Sequence, residues 1–143
     1  MTTPATEPAV ISVRDLRKHF GEAEVLRGIS LEACKGDVIS ILGASGSGKS
    51  TMLRCMNLLE IPTAGEVSIL GEPIALRARD GGLAIANNRQ VDRLRSRVAM
   101  VFQSFNLWSH MTILENLIEA PQHVQGRPRR ECIEEAHALL DKV

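Results

Sequence analysis

Tyrosine is absent, and the aromatic side chains amount to three Phe and one Trp. That is thin for a binder of single-stranded nucleic acid, which stacks bases on aromatic rings. An excess of one charge is missing too. Lys plus Arg number 17, Asp plus Glu number 17, and the formal net charge is zero. A dedicated nucleic-acid binder shows a basic excess, so that class is disfavoured. The three cysteines, at 34, 55 and 132, are odd in number and contain no Cys-x-x-Cys pair. This argues against a disulfide scaffold or zinc site and for a reducing compartment. The four histidines, at 19, 110, 123 and 137, are too scattered to suggest a metal pair. No run approaches the ~18 apolar residues that would span a bilayer. The opening MTTPATEP lacks the apolar core of a secretory signal. The expectation is a soluble, cytosolic chain, free to dock on a membrane protein.

What is present suits one compact domain. The chain has 143 residues, 44% of them hydrophobic and 24% charged, both near globular averages. Residues 1–9, rich in Thr and Pro, read as a flexible tail. Segments 10–16 and 25–33 alternate apolar and polar side chains, the pattern of half-buried strands. Residues 38–42 (VISIL) are almost continuously apolar, which suits a parallel strand buried on both faces. Met52, Leu53, Met56 and Leu59 recur at helical spacing before Pro62. Residues 65–70 form another strand pattern, closed by Gly71. Residues 77–90 have no clean period and read as a surface loop or insertion. Val91, Leu94 and Val98 mark a short helix, and residues 98–102 (VAMVF) a strand. Thr112 followed by Glu115 is a capping-box signal for a helix over residues 112–119. Cys132, Ile133, Ala136, Leu139, Leu140 and Val143 would share one face of a last helix. That helix pattern has no Gly, Asn or Pro to close it, so it looks interrupted at residue 143.

Residues 43–50 read Gly-Ala-Ser-Gly-Ser-Gly-Lys-Ser and fit G-x-x-x-x-G-K-[ST], the P-loop. The glycines let backbone N–H groups turn inward as a nest for phosphate oxygens. The helix that follows aims its N-terminal partial positive charge at the same place. Lys49 would reach the β- and γ-phosphates, Ser50 would ligate Mg²⁺, and Thr51 would add a hydroxyl near the α-phosphate. The nucleotide-binding candidates are therefore Gly43, Ser45, Gly46, Ser47, Gly48, Lys49, Ser50 and Thr51. The strand–loop–helix setting separates this match from a chance Gly-rich turn.

A P-loop alone does not choose among a kinase, a GTPase and a transport ATPase. The run LRKHFGEAEVLRGISLEACKGDVISILGASGSGKSTMLRCMNLLEIPTAGEVSILG resembles the ATPase subunits of ABC transporters. VAMVFQSFNLWSHMTILENLIEAP resembles the glutamine loop of that family and the segment after it. The resemblance covers most of residues 10–121. It implies an α/β P-loop NTPase of ABC ATPase type, with a RecA-like parallel sheet core and an N-terminal antiparallel β-subdomain. Residues 10–143 would be part of such an ATP-binding domain: P-loop 43–51, insertion about 77–90, glutamine loop about 103–111, and the start of a helical subdomain about 112–143. Phe20 matches the aromatic position that stacks on adenine. Gln103 matches the glutamine that touches Mg²⁺ and the attacking water, making Lys49 and Gln103 the catalytic candidates. The implied ligands are ATP and Mg²⁺. Residues 105–116, with Phe105, Leu107, Trp108 and Met111 in an unusually apolar stretch that ends at Asn116, would receive the membrane permease subunits. A second ATPase subunit would complete a head-to-tail dimer, and a periplasmic amino-acid-binding protein would act indirectly. The implied location is the cytoplasmic face of the inner membrane.

Within the family, LRCMNLLE, NNRQVDRLRSR and FNLWSHMTILENLIEAP resemble ATPases of polar amino-acid importers of the histidine, lysine, arginine and opine group. The resemblance stops short of other family elements. Residues 1–143 contain no Leu-Ser-Gly-Gly-Gln signature, no four apolar residues followed by Asp-Glu, and no later switch His. Ala138-Leu139-Leu140-Asp141 is followed by Lys142, and Gly81-Gly82 lacks the signature's flanking residues. Nucleotide binding without turnover is therefore expected of these residues alone. The alternatives are an inactive P-loop adaptor and a soluble P-loop kinase or GTPase. A nucleic-acid binder using Arg77, Arg79, Arg89, Arg93, Arg95 and Arg97 is weakened by Asp80 and Asp92 among them.

Overall fold

The structure, a computed structural model, describes residues 9–143. The tail assigned to residues 1–9 thus lies, Ala9 apart, outside the described residues. Where composition suggested one domain, the chain divides into two compact units, Met1–Ala99 and Met100–Val143.

The first unit is built on an antiparallel sheet. Strand β1 (Ile11–Phe20) turns at Gly21 into β2 (Ala23–Ala33), and β3 (Ala64–Ile69) pairs on the other edge of β1. A short β4 (Glu72–Pro73) completes the order β2-β1-β3-β4. The strands read at 10–16 and 25–33 form, but their alternation is kept only in part, since a register shift lies between Val13 and Leu16 and Ile29 is exposed. Val13, Leu16 and Leu26 are buried while their neighbours Arg14, Asp15 and Arg27 face water. Helix α1 (Lys49–Met56) lays Met52 and Cys55 on this core, with Leu58, Val67 and Ile69. Leu53 and Leu59, expected on the buried face, are about half exposed instead. The helix ends at Met56, so the buried position after Cys55 falls to Leu58 in the turn beyond it.

Residues 77–90 are not an irregular loop. Strands β5 (Leu76–Arg79) and β6 (Gly82–Ile85) form a hairpin, and α2 (Asn88–Arg95) follows. The Asp80-Gly81 pair makes its tight turn, a hairpin signal masked by the arginines around it. Gln90 and Arg93 then fasten α2 to β4. Gln90 Nε2 donates to Glu72 Oε1 at 2.7 Å, and Arg93 reaches both Glu72 carboxylate oxygens at 2.6 and 2.8 Å. Arg95 donates to the carbonyls of Asn57 and Leu58. Two arginines of the suspected basic patch are therefore engaged internally.

Two expected strands do not form. Residues 38–42 and 98–102 carry no strand pairing among the described residues. Val38 and Leu42 are 94% and 90% exposed, and Val101 is 95% exposed. A parallel strand is stabilised by neighbours on its edges and by cover on its faces. No described strand lies beside these segments, so their apolar side chains remain open. Ile41 and Val98 alone pack on the core of the first unit.

The second unit holds α3 (Ile113–His123) and α4 (Arg129–Leu140) around Ile118, Cys132 and Ala136. The capping box forms as read: Thr112 Oγ1 accepts from the Glu115 N–H, and the Glu115 carboxylate accepts from the Thr112 N–H. On α4, Cys132 and Ala136 are buried and Ile133 packs beside them. Leu139, Leu140 and Val143 are exposed, so the shared apolar face closes only at its N-terminal half.

Candidate functional site

Residues 43–48 run as an irregular loop straight into α1. Gly46 (φ 77°) and Gly48 (φ 90°) take left-handed conformations that a side chain disfavours. At Gly48, a Cβ would also come within 3.1 Å of the Val25 carbonyl and of the Leu26 side chain. This glycine therefore lets the loop rest on β2. At Gly43, a Cβ would lie 2.7 Å from Ser47 Oγ, so the two ends of the loop approach closely and a side chain there would make the Ser47 hydroxyl turn away. The Lys49 ammonium lies across the loop, donating to the carbonyls of Gly43 at 2.9 Å and Ala44 at 2.7 Å. Its contact with Ser47 Oγ is longer, 3.4 Å.

The first turn of α1 carries no acidic residue, and Arg54 stands in its last turn. Both choices suit the helix dipole and leave the N-terminal N–H groups free of a competing carboxylate. Ser50, exposed, and Thr51, half-buried, begin this turn. The donor set is that of an anion cradle with one cation and hydroxyl oxygens beside it. It fits a phosphate chain with a hard cation such as Mg²⁺, which prefers oxygen ligands.

Phe20 ends β1, 48% exposed, with the Lys18 ammonium 4.8 Å from its ring centroid. Gln103 belongs to the second unit, exposed on an irregular segment. Gly43, Ser47 and Lys49 are thus brought into mutual contact, while Phe20 and Gln103 stand on other elements.

Residues 105–116 present Phe105 (93% exposed), Leu107 and Trp108 to solvent. Asn116 shapes this loop. Its amide oxygen accepts from the Trp108 N–H at 2.8 Å, and its NH₂ reaches the carbonyls of Trp108 and Thr112 at 3.2 and 2.9 Å. Beside the loop, α3 closes a groove of about 380 Å³ lined by Leu107, Trp108, Met111, Ala120 and Val124. His110 rests against Trp108, with ring centroids 5.7 Å apart.

The family model described as "ABC transporter" matches residues 26–143. The chain belongs to the ABC transporter family. A relative from Rhizobium radiobacter, the octopine permease ATP-binding protein P, is 63% identical over 137 residues, 95% of this chain and 52% of the relative. The arginine/ornithine transport ATP-binding protein AotP of Pseudomonas aeruginosa is 58% identical, covering 93% of this chain and 53% of its own length. The histidine/lysine/arginine/ornithine transport ATP-binding protein HisP of Escherichia coli is 54% identical over 93% of this chain and 52% of its own. The chain spans about half the length of the curated relatives it matches. Among solved structures, the dimeric bacterial ABC transporter cassette MJ0796 aligns with a TM-score of 0.70 at 32% identity, over 92% of this chain and 56% of that one. The same cassette in a post-hydrolysis state bound to ADP and Pi gives a TM-score of 0.71 at 31% identity.

This places the chain among P-loop NTPases of ABC type, with the N-terminal antiparallel β-subdomain in place. No helix among the described residues is long and apolar enough to cross a membrane. Sequence reasoning on this ABC family chain did not find two supports of the site. Lys18 sits under Phe20, and its only sequence signal is an i, i+2 spacing on one strand face. Asn116 entered only as the end of an apolar segment, although an amide four residues after Thr112 is placed to reach back to the helix start.

Proposed function

We propose that this chain forms the nucleotide-binding part of the energy-coupling subunit of an ABC importer, which drives uptake of polar, basic amino acids or opines at the expense of ATP. The observation that carries the reading is the loop at 43–50: two left-handed glycines, an acid-free helix start and Lys49 spanning the loop mouth. In this reading the loop N–H groups and the N-terminus of α1 bind the phosphates. Lys49 exchanges its bonds to Gly43 and Ala44 for β- and γ-phosphate oxygens. Ser50 with its hydroxyl and Gln103 with its amide oxygen would hold Mg²⁺, which would supply charge neutralisation at the phosphates. Phe20 stacks on adenine, and Thr51, Ser45, Ser47 and Gly46 complete the phosphate cradle.

The choice of substrate class rests on the names carried by relatives at 54–63% identity. The permease would dock at 105–116, where Asn116 braces the Trp108 main chain and Phe105, Leu107 and Trp108 are exposed. A second ATPase subunit would face the P-loop, a binding protein would act through the permease, and the subunit would lie on the cytoplasmic face of the inner membrane. Residues 1–143 alone bind nucleotide without turning it over, because neither a signature sequence nor a carboxylate after an apolar strand lies within them. The deciding experiment is ATP binding to the intact protein and to Lys49→Ala. Affinity unchanged by the substitution would overturn the reading.

A further inference from the structure

Phe20 rests on a cation that is itself tied down. Lys18 is only 13% exposed, although lysine usually keeps its ammonium in water. Its Nζ lies 4.8 Å from the Phe20 ring centroid, donates to the Ile61 carbonyl at 2.7 Å, and pairs with Glu60 Oε2 at 3.1 Å. Glu60 is joined in turn to the P-loop helix, since its N–H donates to the Arg54 carbonyl at 3.1 Å. Cys55 of that helix, wholly buried, lies within the electrostatic reach of both Lys18 and Glu60. One ammonium therefore links the aromatic end of β1 to the segment that leaves α1, whose other end opens at Lys49.

We propose that Lys18 is a positioning residue for nucleotide binding, holding the Phe20 ring in place for a purine and tying the base-binding strand to the phosphate-binding helix. The proposal rests on the reading of Phe20 as the adenine platform. The ammonium lies over one face of the ring, and Phe20 is about half exposed, so the side chain is accessible to a base. A cation on one face also draws π density toward itself, so the opposite face becomes a better partner for an electron-rich purine. Fixing the ring beforehand removes an ordering cost from binding. Arg17 and His19, the neighbours of Lys18 on β1, point their side chains elsewhere: both approach Glu24, Arg17 at 3.3 Å and His19 at 3.8 Å.

The test measures binding of ATP and of inorganic tripolyphosphate to the intact protein and to Lys18→Met, Lys18→Arg, Phe20→Ala and Lys18→Met/Phe20→Ala. Lys18→Met should weaken ATP about three- to tenfold, leave tripolyphosphate unchanged, and add nothing to Phe20→Ala. Lys18→Arg, which keeps a cation over the ring, should restore most of the affinity. Loss of tripolyphosphate binding in Lys18→Met would mean that Lys18 merely supports the fold, and the proposal would fail. ATP affinity lowered by Phe20→Ala but unmoved by Lys18→Met would overturn the proposal and leave the Phe20 reading standing. No effect of Phe20→Ala would overturn both.

Discussion

The Lys49 ammonium spans the loop by bonding to carbonyls that a nucleotide would not need. These bonds are exposed and exchangeable, and Lys49 contributes nothing to the apolar core. Lys49→Ala should therefore lower ATP affinity at least tenfold, roughly the loss of one charge-assisted phosphate contact, with the fold intact by circular dichroism. Cys55 is the opposite kind of residue. Burial pushes its thiol up to about 11 from an ordinary value of 9.0; Lys18 pulls it down and Glu60 adds to the rise. An acid with a raised value favours the folded state while the unfolded thiol stays protonated. This contribution is whole below pH about 9 and is lost as the pH rises through about 11. The native thiol should accordingly be alkylated at least about tenfold more slowly at pH 8 than in the denatured chain, as peptide mass spectrometry would read.

Gly65 decides whether β1 and β3 can pair. Its φ is 100°, and an added Cβ would sit 2.5 Å from the Asp15 carbonyl oxygen and 2.8 Å from that of Arg14. Both are backbone atoms and cannot rotate aside. Asp15 itself sits at φ 45° in the irregular register of β1, where its N–H donates to Ser30 Oγ at 3.0 Å. Gly65→Ala should thus cost about 3 kcal/mol or more in chemical denaturation, combining backbone strain and a main-chain clash. On α3 the Thr112–Glu115 box is the corresponding device. The Thr112 N–H and hydroxyl hold the Glu115 carboxyl below its ordinary 4.5. A lowered carboxyl stabilises the fold above its unfolded value, and that stability is lost as pH falls through the lowered one. Thr112→Ala should cost about 1 kcal/mol, speed amide exchange at Glu115, and move the Glu115 titration back upward by NMR.

Among the described residues, several large apolar side chains stand exposed in segments outside the helices and strands. Phe105 and Trp108 stand out beside their groove, and Val38, Leu42 and Val101 stand out where a sheet was expected. Within 105–116 the Trp108 main chain is held by Asn116 while the side chains of Phe105, Leu107 and Trp108 are exposed, a division suited to docking. Trp108→Glu should abolish co-purification with the permease and leave ATP affinity within about twofold, because the Asn116 bonds involve only the Trp108 main chain. The segment 1–143, purified alone, should release no steady phosphate. Release abolished by Lys49→Ala would count against the reading of residues 1–143 as binding nucleotide without turnover.

What was legible in the sequence was whatever local chemistry dictates. The glycine spacing before Lys49, the extended character of β1 and β2, and the Thr112–Glu115 cap each depend on neighbours within a few residues, and each formed. The hairpin at 76–85 was obscured because its turn signal is short and its arginines carry no period. The strands expected at 38–42 and 98–102 needed edges that local sequence cannot supply, so apolar composition alone did not make them. Lys18 under Phe20 and Arg93 on Glu72 are likewise decisions of tertiary structure. Lys18 is held by Ile61 and Glu60, some forty positions away, and Arg93 lies 21 positions from its carboxylate. A charged side chain has no preferred partner until the fold brings one within reach and removes the water between them.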